Sequence, residues 1–171
     1  MPRQEVRITR ERSGLRMRGT PIVMVMLGSA LTAMLPIVAQ SPVLPPVGLL
    51  IFLSWRLLRP EIWPIWIGLP LGLFDDLMSG QPLGSAGFLW TMVTLGIEAV
   101  NSRLLWRDYW HDWLIAGISV IFCLTGGMLF VWLTGGGGNI VILLPQMLWS
   151  ILAFPACLRL CAIFDRWRLP A

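Results

Sequence analysis

The stretch Gly72-Leu73-Phe74-Asp75-Asp76-Leu77-Met78-Ser79-Gly80-Gln81-Pro82-Leu83-Gly84 decides how the chain is to be read. It sets two adjacent carboxylates in otherwise apolar sequence and then turns the chain sharply. An ionisable residue within a membrane span is costly, so it faces the bundle interior, pairs, or serves a function. Gly68, Gly72, Asp75 or Asp76, and Ser79 recur at spacings of three and four, which on a helix gives one narrow stripe of small and acidic residues. Small residues let a second helix backbone come close, so the carboxylates are expected to point at a neighbouring helix and away from lipid.

The surroundings support a membrane reading. Of 171 residues, 56% are hydrophobic and 13% charged, and the mean hydropathy is +0.74. A polytopic membrane protein fits those values and a soluble domain does not. With about 20 residues needed per helix, the chain holds roughly six spans and little else. Cys123, Cys157 and Cys161 all lie in apolar stretches, with no spacing that suggests zinc or a disulfide framework. All 13 basic residues are Arg. The lack of Lys excludes a Walker-type phosphate loop and a Schiff-base lysine. His111, beside Asp108 and Asp112 in an expected short connection, reads as a solvated loop residue; no metal set assembles around it, and no cofactor is expected.

Residues 1–20 form a basic arm whose Arg3, Arg7, Arg10, Arg12, Arg16 and Arg18, set against Glu5 and Glu11, account for the whole net charge of +4. Two readings of the arm stand: a topogenic signal, or a segment resting on anionic lipid at about 1 kcal/mol per basic residue. Nucleic acid is not an expected partner. The membrane domain is expected over residues 21–165, followed by a cytoplasmic tail at 166–171.

Turn chemistry divides the membrane domain into six spans. The first, 22–39, ends at Ser41-Pro42, and the second, 47–58, ends before Pro60. The third, 62–78, carries the acidic stripe, with Gly80 as a left-handed cap. The fourth, 82–100, begins with Pro82 in its first turn. The fifth, 113–133, contains Thr125-Gly126-Gly127 as a close-packing or bending point, and Gly135 to Asn139 form a turn. The sixth, 140–163, holds Pro145, Gln146 and Pro155. A carboxylate is unfavourable at the C-terminus of its own helix and favourable at the free amides opening the next, so the third and fourth spans are expected to form a tight hairpin. Glu98 is expected to pair with an Arg or to snorkel.

Six spans place every Arg on one side: the arm, the turn with Arg56 and Arg59, the connection with Arg103 and Arg107, and the tail beginning with Arg159. The positive-inside rule makes that side cytoplasmic, with both termini inside. Trp55, Trp63, Trp66, Trp106, Trp110, Trp113 and Trp167 fall near the same interface, as expected of an aromatic belt.

The central stretch resembles the G-x-x-x-D-x-x-S-G-x-P-x-G signature of the MreD family of bacterial rod shape-determining proteins, with Asp76 at the family aspartate and Asp75 an addition. Arg59-Pro60 after a short second span, a basic N-terminus, and a last span with Trp149 and Pro155 running into an arginine tail are similar to that family too. The resemblance implies a non-catalytic membrane subunit of the cell-wall elongation complex that supports MreC and the wall synthases. Its implied partners are MreC, the actin-like MreB, RodA and its penicillin-binding transpeptidase. It also implies a fold akin to the substrate-binding subunits of energy-coupling-factor transporters. On this reading Gly68, Gly72, Asp75, Asp76, Ser79, Gly80, Pro82 and Gly84 form a structural or partner-binding element.

Two other classes compete. A substrate-binding subunit of a vitamin-type transporter would use the same fold with a pocket near Asp76. A lipid-diphosphate enzyme would hold magnesium on Asp75 and Asp76, but adjacent helix positions diverge by about 100 degrees and no second acidic cluster exists in the membrane.

Overall fold

The computed structural model describes residues 19–34, 44–102 and 109–168. Among these residues the chain is all-helical. Six helices follow one another: α1 (Gly19–Met34), α2 (Val47–Leu58), α3 (Gly68–Ser79), α4 (Ser85–Asn101), α5 (Tyr109–Leu133) and α6 (Leu143–Arg168). Short 3-10 turns at Ile65–Ile67 and Ile140–Ile142 lead into α3 and α6.

Helix α2 is the buried element. It starts after Pro46 and stops before Pro60, the residue that cannot continue it. Leu49, Leu50, Phe52, Leu53, Trp55 and Leu57 are all buried, so α2 is covered around most of its circumference. Helices α5 and α6 pack against it. Helix α1 crosses it at a pair of glycines: a Cβ on Gly28 would fall 3.3 Å from the Gly48 backbone. The ring of Phe52 stacks on Trp90 of α4 at 4.8 Å and on Trp63 at 5.6 Å.

Much of the outer surface is apolar. Leu27 and Leu31 on α1, Leu69 and Leu77 on α3, Phe88 on α4, and Leu148, Leu152 and Ile163 on α6 are exposed. Inside, the buried hydroxyls of Ser54, Thr94 and Ser150 donate to the carbonyl one turn back, at 2.6–2.7 Å. Such internal satisfaction of polar groups beneath an apolar exterior is what a lipid solvent requires.

Several boundaries differ from the sequence expectation. Among the described residues only two segments, Trp110–Leu133 and Ile140–Trp167, are long and apolar enough to cross a bilayer unaided. Helices α2 and α3 have 12 residues each, about 18 Å of rise. The third span does not run as one helix from Ile62, because Pro64 is extended and a 3-10 turn intervenes before Gly68. Pro82 lies outside α4: the chain makes a turn, Ser85 N donating to Pro82 O at 3.1 Å, and the helix opens at Ser85. His111 sits in the first turn of α5 and not in a loop. Trp55 and Trp63 belong to the core and not to an interfacial belt, whereas Trp66, Trp110 and Trp167 are exposed. The first helix ends at Met34 within the described residues; the rest of the expected first span, residues 35–39, and Trp106 lie outside them.

Candidate functional site

Among helices α2 to α6 the α3–α4 hairpin is the most closely packed pair, and its sequence explains why. Gly68, Gly72 and Asp76 are spaced by four and all three are buried. A Cβ on Gly72 would lie 2.5 Å from Gly87 N and 2.6 Å from Ala86 O; one on Gly68 would lie 2.8 Å from the Trp90 carbonyl carbon. The obstruction is backbone in both cases, so neither helix can yield without separating from the other.

The close approach delivers Asp76 to the start of α4. Its Oδ2 accepts from Gly84 N at 2.9 Å, its Oδ1 accepts from the Ser85 hydroxyl at 2.9 Å, and Ala86 N lies 3.0 and 3.1 Å from the two oxygens. A carboxylate from one helix thus supplies the N-terminal cap of the next, satisfying amides that have no partner within their own helix. Burial of Asp76 at 1% exposure is compensated by these donors and by the positive end of the α4 dipole. Two left-handed glycines shape the connection: Gly80 (φ 70°) closes α3 with its N–H on Asp76 O at 3.0 Å, and Gly84 (φ 94°) turns the chain into α4.

The other residues of the stretch separate from this cap. Ser79 is exposed and donates to the Asp75 carbonyl at 2.8 Å, so it does not extend the buried stripe. Asp75 lies on a different face. It lines a cavity of about 570 Å3 between α1, α3, α5 and α6, with Ser29, Gln81, Cys123, Asn139 and Gln146. The two carboxylates therefore do not converge on one point. Among the described residues no group of three or more His, Cys, Asp or Glu is placed to hold a metal ion.

A second charged cluster occupies the connection between α2 and α3. Arg56 does not stand in a loop: it belongs to α2 and is 1% exposed. Its guanidinium donates to the carbonyls of Pro60 at 2.8 Å and Trp63 at 3.0 Å, and pairs with Glu98 of α4 at 2.5 Å. Arg59 reaches Asp165 of α6 at 3.0 Å. Arg159 is exposed on α6, while Arg103 and Arg107 lie outside the described residues.

Sequence reasoning did not find the fixing role of Arg56, the contributions of Ser85 and Ala86, or the residues of the cavity, although the transporter alternative expected a pocket near Asp76. Two signals were available. A lone Arg inside the apolar run Leu49 to Leu58 has to find carbonyls or a carboxylate nearby. A Ser directly after Gly84, ahead of an apolar run, is a helix-start signal. The cavity assembles residues from distant parts of the chain and leaves no local pattern.

Neither the curated proteins nor the solved structures compared with the chain gave a match. The family model for rod shape-determining protein MreD matches residues 16–160. That match takes in helices α1 to α5, the capped hairpin and most of α6, and the chain belongs to the MreD family.

Proposed function

We propose that the chain is a non-catalytic, multi-pass subunit of the bacterial cytoplasmic membrane that binds MreC and supports the wall synthases of the elongation complex. Family membership gives the protein a role in determining rod shape, and the partner-level reading rests on that membership and on the hairpin. The observation that carries it is the Asp76 cap, which fixes α3 against α4 and so holds one helical face in a defined form. On that face Leu69, Leu73, Phe88 and Met92 surround a groove of about 240 Å3 floored by Gly84 and Gly87. Small residues at the base of such a groove allow a second helix to approach closely, and the transmembrane helix of MreC is its proposed occupant.

In this reading the arginine-rich arm, residues 1–20, and the tail, residues 166–171, face the cytoplasm on either side of the membrane domain at 21–165. The arm also contacts anionic lipid. The fold is of the kind found in substrate-binding subunits of energy-coupling-factor transporters. MreB, RodA and its transpeptidase are reached through the assembly.

Co-purification with MreC from membranes tests the proposal. The native chain is expected to retain MreC. Thr91→Trp, which fills the groove without touching the cap, is expected to lose it while the chain stays folded and inserted. Retention of MreC by Thr91→Trp at the native level would refute the groove as the contact.

A further inference from the structure

The cavity beside the hairpin has no part in the capping arrangement, and its chemistry is specific. Its walls are largely apolar: Leu124, Met128, Val131, Ile142, Leu143 and Met78 contribute to them. The only charged side chain among the described lining residues is Asp75. Ser29, also in the lining, is 3% exposed; its Oγ stands beside the Asp75 carboxylate and completes no well-formed hydrogen bond among the described residues. Gln146 donates through Nε2 to Leu44 O at 3.0 Å, which leaves its amide oxygen as an acceptor.

A buried carboxylate with one poorly aligned hydroxyl beside it is costly in a membrane interior. Asp76, one residue away, shows how this chain satisfies a carboxylate when the donors are its own. Among the described residues only the Ser29 hydroxyl stands beside the Asp75 carboxylate, with no backbone amide added to it, so the carboxylate has acceptor capacity left for donors from a ligand. A metal ion is a poor candidate, since magnesium and calcium require several oxygen ligands with more charge than one carboxylate supplies. An ammonium group presents three donors and a single charge, matching the Asp75 carboxylate, Ser29 Oγ and the Gln146 oxygen. The apolar walls suit a hydrocarbon body, and the volume lies within the range of small-molecule sites.

We propose that this cavity is a binding site for a small amphiphilic organic ammonium, held by Asp75, Ser29 and Gln146 with its apolar part against α5 and α6. The site is separate from the Asp76 cap and from the groove assigned to MreC, and stands independently of that assignment.

The test uses the full chain in phosphatidylcholine nanodiscs, with radiolabelled n-octylammonium as the probe and empty nanodiscs as the baseline. Saturable retention at one probe per chain is expected, with n-octanol competing about tenfold less well or worse, as loss of a charge-assisted hydrogen bond requires. Asp75→Asn is expected to weaken retention by a similar factor. Gly127→Leu gives a second route that leaves every polar group in place. A Cβ at Gly127 meets only Gln81 Oε1 at 3.5 Å, so the helix accepts it while the longer side chain fills the cavity and blocks the probe. The proposal is overturned by non-saturable retention, by equal competition from n-octanol, or by full retention in either variant.

Discussion

Asp76 and Ala86 stand on different helices, yet both carboxylate oxygens of the first lie within 3.1 Å of the backbone nitrogen of the second. This contact, with those to Gly84 and Ser85, joins the end of α3 to the beginning of α4 through one side chain. Such a cap improves a helix terminus by giving its free amides an acceptor that the helix itself lacks.

Replacement of Asp76 is therefore expected to be graded. Asp76→Ala leaves two amides and a hydroxyl without their acceptor and is expected to destabilise the chain by about 3 kcal/mol or more. Asp76→Asn keeps one acceptor oxygen and is expected to cost about half as much. Unfolding in mixed micelles gives the order native, Asn, Ala. An alanine variant as stable as the native chain would show that the cap does not hold the hairpin.

The glycines of the chain are expected to divide by what lies opposite them. Gly72→Ala forces a Cβ against the Gly87 and Ala86 backbone and is expected to cost about 2 kcal/mol or more, in the manner of an overpacked core. Gly96, also in a helix, has nothing within 4 Å of an added Cβ. Gly96→Ala is expected to be neutral or stabilising by up to about 1 kcal/mol. The same micelle unfolding assay compares the two, and equal effects would contradict the packing account.

The Arg56–Glu98 pair is expected to behave asymmetrically. Arg56 is 1% exposed and serves two backbone carbonyls besides Glu98, whereas the Glu98 side chain is 52% exposed. Removing the arginine strands the Pro60 and Trp63 carbonyls and the packing of its stem, an expected loss of about 3 kcal/mol. Glu98→Gln gives up a half-solvated ion pair and keeps a hydrogen-bonding group, for about 1 kcal/mol or less. A double-mutant cycle with Arg56→Met measures the coupling directly. Equal losses for both single variants would mean that the ion pair, and not the carbonyl contacts, fixes Arg56.

Much of this arrangement is legible in the chain because local rules carry it. Pro60 ends α2, Gly80 closes α3 in the left-handed conformation, and the turn from Gly135 to Asn139 separates α5 from α6. Spacing by four puts Gly68, Gly72 and Asp76 on one face, and a carboxylate ahead of a helix start finds its amides. Distant packing decides what spacing cannot. Asp75 and Asp76 are equivalent by composition, but adjacent helix positions point about 100 degrees apart, and only the placement of α1 and α5 shows that Asp75 lines a cavity. Arg56 reads as one of a set of interfacial arginines until Glu98, 42 residues later, is brought beside it. Pro82 suits a first helical turn by propensity, yet the left-handed Gly84 delays the helix to Ser85.

The measurement closest to the central claim is cell shape under depletion of the protein in its host, with rescue by the native gene or by variants produced in equal amount. Rounding and swelling are expected on depletion, with reversal by the native chain and failure of Asp76→Ala to restore the ratio of cell length to width. Unchanged shape on depletion, or full rescue by Asp76→Ala at native abundance, would contradict the claim.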